Sequence, residues 1–151
     1  MAERENPVRM VDVSEKESIN RFAEASGDII LNAETLKRIR DGTIKKGNVL
    51  AVSETAGILA AKRTSEILPL CHQIPLTSVE VLFDIEENKL NATCRVSANY
   101  KTGVEMEALV GVTTALLSIW DMVKYLEKDL QGQYPTTRLQ NIRVVEKRKN
   151  E

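Results

Sequence analysis

The sequence predicts an α+β fold of the ferredoxin-like, split βαβ kind: an antiparallel sheet with packed helices and one extra helix. Three observations carry that reading. Two neighbouring runs, Leu76 to Ile85 and Leu90 to Ala98, alternate apolar and polar residues across a short Glu87-Asn88-Lys89 turn, which is a hairpin pattern. Two helical stretches precede the hairpin, and one long helical stretch follows it. Strand-like runs stand at either end of that series, so the order is β-α-α-β-β-α-β.

Each element has its own justification. Met1 to about Arg9 is a polar lead-in, expected to be flexible, and residues 10–151 read as one domain. From Arg21 to Leu31 the chain is rich in small and apolar residues, and its end, Asp28-Ile29-Ile30-Leu31, reads as a strand. Asn32 offers an N-cap to a helix that carries Leu36, Ile39 and Arg40 and stops at Gly42. A second helix is expected from about Asn48 to Ile67, with Val49, Val52, Ala56, Leu59 and Ala60 on one side and Pro69 as its terminator. In the hairpin, Val79, Val81 and Phe83 share one face, with Ser78, Glu80 and Leu82 on the other. The long helix spans roughly Gly103 to Leu130. A turn at Gln131 to Pro135 leads to a last strand, Leu139 to Val145.

Composition narrows the function. The chain has 151 residues, 42% hydrophobic and 28% charged, with a formal net charge of -1. Any site for an anionic ligand must therefore gather its positive charge locally. Near-zero charge and 4% aromatics argue against a nucleic-acid binder, which would need a basic surface or stacking rings. Cys71 and Cys94 form no CxxC pair and read as free thiols in a reducing compartment. The polar start reads as no signal peptide, and no apolar run looks long enough to span a membrane, so a cytoplasmic protein is expected.

The long helix presents two faces. Leu109, Val112, Leu116, Ile119, Val123 and Leu126 recur at three- and four-residue steps and should pack on the sheet. At about 100° per residue, Met106, Val110, Thr114 and Leu117 gather on the opposite side, with Glu107 near one end and Asp121 and Lys124 near the other. A solvated face rarely holds such a strip, so another element or another subunit is expected to cover it. Asp121 and Lys124, three residues apart, can pair. On a plain surface that pair would be a weak salt bridge. At the edge of an interface, a carboxylate and an amine can act as base and acid.

The segment Lys62 to Pro75 crowds Thr64, Glu66, His72 and Gln73 between a helix end and a strand start, the sort of loop on which sites are built. Lys62 and Arg63 add positive charge, and Lys45-Lys46-Gly47-Asn48 adds more at the helix start. His72 is the only histidine. Adjacent Cys71 and His72 make neither a zinc site nor a catalytic pair, because such partners are usually spaced apart in sequence. The bland reading is a buried thiol and a hydrogen-bonded imidazole in a tight turn.

Several runs together resemble one family. They are Met10-Val11-Asp12-Val13-Ser14, Lys46-Gly47-Asn48-Val49, the stretch from Ala56 through Lys62-Arg63-Thr64 to Leu70-Cys71-His72, Lys101 to Leu109, and Asp121-Met122-Val123-Lys124. The chain resembles the cyclic pyranopterin monophosphate synthases, protein C of molybdenum-cofactor biosynthesis, from about Met10 to Lys147. The resemblance implies a lyase of ferredoxin-like fold. It would convert 3′,8-cyclo-7,8-dihydroguanosine triphosphate to cyclic pyranopterin monophosphate and release pyrophosphate. It implies a hexamer, a trimer of dimers, with sites at a dimer interface. Asp121 then matches the catalytic aspartate, and Lys46 and Lys124 match lysines needed for the rearrangement. Leu70, Cys71 and His72 match the pocket together with Glu105, Met106 and Glu107. Arg21, Lys62 and Arg63 match basic residues suited to a triphosphate. No cofactor is required by the sequence, no metal site is evident, and Mg²⁺ could arrive on the triphosphate.

Two departures stand out. Asn48 replaces an aspartate common after Lys-Gly in this family. The C-terminal Val145-Glu146-Lys147-Arg148-Lys149 lacks the glycines that would fold a loop over a phosphate, which argues against a role for Lys147. A non-catalytic ligand-binding module is the other reading, since fold does not fix function. It would tolerate loss of Lys46, Asp121 or Lys124, whereas a synthase would not.

Overall fold

The computed structural model describes residues 6–150. Positions 1–5 of the expected lead-in lie outside the described residues, and 6–9 are exposed. The elements in chain order are β1 (Ile19–Ile30), α1 (Ala33–Asp41), α2 (Val49–Lys62), α3 (Thr64–Ile67), β2 (Leu76–Ile85), β3 (Lys89–Tyr100), α4 (Glu105–Glu127) and β4 (Arg138–Asn150). The strands form one sheet in the order β2-β3-β1-β4, every neighbouring pair antiparallel. This is the split βαβ arrangement read from the sequence, with α1 as the extra helix.

The core lies between the sheet and α4. Alternate residues of β1 and β3, among them Ala23, Ala25, Ile29, Leu90, Ala92, Cys94 and Val96, are fully buried. They meet Val112, Leu116, Ile119 and Val123 of α4, which is the stripe expected from the three-four periodicity. At Gly27 a Cβ would lie 2.9 Å from Leu116 Cδ1, so β1 passes under α4 with no room for a side chain there.

Several boundaries differ from the sequence reading. β1 begins at Ile19, well before Asp28, because its small residues lie under the helix rather than in a turn. β4 runs on to Asn150, with Asn20 opposite Asn150 and Ala23 opposite Lys147. The pattern ends this strand at Val145, yet β1 supplies a hydrogen-bonding partner for the charged residues beyond it. α4 spans Glu105–Glu127, two to three residues shorter at each end than the periodic pattern suggested. The helix expected over 48–67 breaks at Arg63, and α3 starts at Thr64.

The face of α2 is the main correction. Val49, Ser53, Gly57, Ala60 and Ala61 are buried, whereas Val52 and Leu59 are 48% and 45% exposed. The reason is close helix packing. α2 lies against α4 with Gly57 facing Gly111, where a Cβ would come within 2.9 Å of the Gly111 carbonyl. A Cβ on Gly111 would come within 2.6 Å of Cys94 Sγ. Small residues are the contact surface here, so Val49 and Ala60 of the expected side are buried while Val52 and Leu59 are turned out.

Two carboxylates tie distant elements together. Glu127, 2% exposed, accepts hydrogen bonds from the Thr35 and Thr137 hydroxyls at 2.5 and 2.7 Å and from the Asn32 backbone N–H. It therefore caps α1 from across the fold, while the Asn32 side chain, expected as the cap, makes no such bond. Asp28 accepts from Asn91 and Asn141 at 2.9 Å each and from Lys89. Burial alone would raise the Asp28 pKa, but these donors outweigh it and hold the carboxyl below its usual range.

By length and composition α4 would suffice to cross a membrane, which the sequence reading did not anticipate. Half of that window is buried inside the fold. That buried half serves the core.

Candidate active site

The two groups of residues singled out in the sequence fall at opposite ends of α4. At the C-terminal end, Asp121 receives the Lys124 ammonium on Oδ1 at 3.0 Å and the Lys46 ammonium on Oδ2 at 3.4 Å. Lys46 also donates to the Asp121 main-chain carbonyl at 3.3 Å. Lys124 lies one turn along the same helix, while Lys46 arrives on the loop between α1 and α2. That loop turns through Gly47, at φ 109°, a backbone shape that glycine tolerates and other residues avoid. Asn48 then caps α2, accepting from the Ala51 N–H at 3.0 Å. The bond from Lys124, then that from Lys46, holds the Asp121 carboxyl below the ordinary carboxylate range. The same contact raises the Lys124 pKa. All three side chains are about half exposed.

At the N-terminal end of α4 a cavity of about 410 Å³ opens between the helix start, the loop after α3 and the N-terminal segment. Leu70, Cys71 and His72 line one side, and Glu105, Met106 and Glu107 line another. A smaller cleft of about 180 Å³ shares His72 and Glu107 and reaches Lys62. Burial, followed by the neighbouring charge of Glu105, pushes the Glu107 pKa up, so its carboxyl retains a proton more readily than an exposed one. Burial, then Glu107, raises the Cys71 thiol as well, which makes it a poor thiolate nucleophile. Cys94 is elsewhere, buried on β3 beneath Gly111, with its pKa pushed up to about 12.

His72 Nε2 lies 2.7 Å from the Val11 carbonyl. A carbonyl only accepts, so Nε2 carries the hydrogen. This bond, with Lys101 Nζ to the Ser14 carbonyl at 3.4 Å, lays the segment Arg9–Lys16 along the cavity. Arg9 and Lys16 thereby join the lining, and sequence reading had given neither a role. Arg21 donates to the Tyr100 and Lys101 carbonyls at 3.4 and 3.2 Å, so it braces the turn into α4. Arg63 is exposed at the α2–α3 junction. Lys147, which the missing glycines argued against, comes within 3.4 Å of Glu105 Oε1. Strand pairing, not a loop, brings it there.

The two ends do not meet within one chain. Met106 and Asp121 are fifteen residues apart on one helix, about 22 Å at 1.5 Å per residue. Along this stretch Met106 and Leu117 are 40% and 57% exposed while Val110 and Thr114 are partly buried, so the described residues cover the apolar strip only in part. α2 runs antiparallel beside α4, linking the ends through Ser53 and Ser118, whose hydroxyls are 3.0 Å apart.

Comparison with known proteins decides the family. The model of the MoaC family matches residues 10–150. The chain belongs to the MoaC family. It is 59% identical to a probable cyclic pyranopterin monophosphate synthase of Pyrococcus abyssi, over 95% of this chain and 90% of that one. A protein of Methanosarcina mazei with the same name is 55% identical over 93% of this chain and 90% of its own. A relative in Methanothermobacter thermautotrophicus, named a probable cyclic pyranopterin monophosphate synthase accessory protein, is 54% identical over 97% and 92%. These likenesses extend over nearly the whole chain, so both ends of α4 fall within the family match.

Proposed function

We propose that the chain is a lyase of molybdenum-cofactor biosynthesis, a cyclic pyranopterin monophosphate synthase. Its substrate is 3′,8-cyclo-7,8-dihydroguanosine 5′-triphosphate, and its products are cyclic pyranopterin monophosphate and pyrophosphate. The observation that carries the reading is the convergence of Lys46 and Lys124, from a loop and a helix, on the Asp121 carboxylate, their ammonium groups 3.4 and 3.0 Å from its two oxygens. The reaction opens and recloses a ring and expels pyrophosphate. It needs proton donors and acceptors beside fixed positive charge. Asp121, held anionic by two ammonium groups, is an acceptor; the lysines are donors and offset developing charge on phosphate oxygens. Leu70, Cys71 and His72, with Glu105, Met106 and Glu107, hold the substrate. Lys62, Arg63 and Arg21 complement its triphosphate.

One site requires both ends of α4, and their separation calls for a second copy. Two chains packed through the outward faces of α4, helices antiparallel, would bring the cavity of one to the Asp121 cluster of the other. Leu117 and Met106 are the apolar surface for that contact. A hexamer of three such dimers, in the cytoplasm, is the assembly proposed. No cofactor is needed. Any Mg²⁺ would be carried on the phosphates, since no group of three His, Cys, Asp or Glu among the described residues could hold an ion alone.

The test is incubation with the cyclic dihydroguanosine triphosphate and assay of pyrophosphate and pyranopterin. Wild type should yield both, and Asp121→Asn should lower kcat by about 10³-fold with only a small fall in melting temperature, as expected for an exposed acid–base group. Wild type that binds the substrate and makes no product overturns the proposal.

A further inference from the structure

Asp121 and Tyr125 stand one turn apart on the same side of α4. Two consecutive residues of the α1–α2 loop read those two turns. Lys46 reaches Asp121, and the Lys45 backbone N–H donates to the Tyr125 hydroxyl at 2.8 Å. The Lys45 ammonium also lies 5.8 Å from the centre of the Tyr125 ring. We infer that Tyr125 is a positioning residue, which holds the loop backbone at Lys45 so that the Lys46 ammonium stays on Asp121. The inference rests on the catalytic reading of Lys46 and Asp121 for its consequence in turnover, though not for its geometry.

The physical reason is the weakness of the lysine contact by itself. Lys46 has four rotatable bonds, its side chain is about half exposed, and exposed ion pairs contribute little. Holding a lysine in one rotamer opposes a side-chain entropy of up to about 2 kcal/mol. A salt bridge of that kind does not determine where its own backbone lies. The loop must be placed by something else: Ile44, 6% exposed in the core, anchors it before Lys45, and the backbone at Lys45 itself needs a further hold. Its internal bonds, Thr43 N–H to the Arg38 carbonyl and Gly47 N–H to the Ile44 carbonyl, shape the turn without attaching it to α4. The phenol oxygen of Tyr125 is the direct attachment of the loop's main chain to that helix. It grips the residue immediately before Lys46, so a slip there moves the ammonium away from Asp121. The ring alone cannot do this, because a backbone N–H needs an acceptor and only the hydroxyl supplies one.

Tyr125→Phe separates the two contributions. It keeps the ring beneath the Lys45 ammonium and removes the acceptor. Two measurements do not depend on turnover. Amide hydrogen exchange at Lys45 should speed up. The carboxyl titration of Asp121, followed by carbon NMR on the full chain, should move toward the ordinary aspartate range, in the same direction as in Lys46→Ala and by less. Lys124, which also faces this carboxylate, is unchanged in both variants. In the substrate assay kcat should fall about five-fold, the scale of one neutral hydrogen bond, with KM within about two-fold. If Tyr125→Phe leaves both the Lys45 exchange and the Asp121 titration at wild-type values, the inference is wrong. If both move while wild type makes no pyranopterin, the positioning stands and the proposed synthase activity fails.

Discussion

The two ends of α4 are built on opposite plans. The N-terminal end is enclosed: Glu107 is 4% exposed, a cavity is walled by two loops, and His72 holds the segment that runs along it. The C-terminal end is open, with Asp121 and both lysines about half in water. Desolvation sets the chemistry at the first end and raises Glu107 and Cys71. Ion pairing sets it at the second and lowers Asp121. Enclosure favours holding a substrate's heterocycle, while an exposed charge cluster has little worth until something covers it. Each end lacks what the other has. Association of two copies through α4 would bury the open end under the enclosed one and strengthen its electrostatics by excluding water.

The comparison can be broken most severely at Leu117. Leu117→Glu places a charge on the strip between the ends. Burying a lone charge at an interface costs about 3 kcal/mol or more, so the assembly constant should fall by about 100-fold or more. Sedimentation should show smaller species with native circular dichroism, and activity should fall with the assembly. An unchanged oligomer would place the strip outside any contact. Next in size is Gly111→Ala. The new methyl meets Cys94 Sγ, and overpacking of this kind costs about 2 kcal/mol, read as a lower denaturant midpoint. It should also disturb both ends, because α2 connects Lys46 to Lys62 across this contact.

The smallest effect sharpens the contrast in desolvation. The Glu107 pKa is raised in the folded state, so its contribution to stability is fully present below the unfolded glutamate pKa and is lost as pH rises through the folded value. Glu107→Gln removes that loss. Its melting temperature should exceed that of wild type at pH 8, and the two should converge near pH 4, where wild-type Glu107 is protonated in both states. Asp121 has the opposite sign. Its contribution is present above the unfolded aspartate pKa and is lost as pH falls through the depressed folded value.

Much of this was legible in the sequence, for identifiable reasons. β2 alternates in burial from Val79 to Ile85, past a bulge between Leu76 and Ser78, and its bounds match the reading. The stripe from Val112 to Val123 has a period that only a helix satisfies. Asp121 and Lys124 are local partners at helical spacing. Elsewhere, tertiary contact overrode pattern. Ala23, Ala25 and Gly27 look like a loop composition, but a strand beneath α4 needs small residues. The residues after Val145 lack a strand pattern, yet Arg148 stacks on the Phe22 ring at 4.2 Å and Lys147 meets Glu105. Val52 and Leu59 share an apolar side with Val49 and Ala60 in the sequence, yet Ser53 and Gly57 are the residues buried beside those two. Lys46 meets Asp121 across a separation of 75 residues, which no local spacing encodes. Arg9 and Lys16 reach the cavity because His72 and Lys101 hold the segment between them.

A mixture of two inactive variants tests the shared site most directly. His72→Ala disables the enclosed end, and Asp121→Asn disables the open end. Co-expressed with separate tags and purified as mixed assemblies, the two should regain activity. If each site takes one end from each copy, random pairing leaves about a quarter of all sites with both ends intact. Recovery near that fraction of wild-type turnover is the predicted result. Mixed assemblies that stay as inactive as either parent would mean that both ends serve one chain, and the two-copy site would be contradicted.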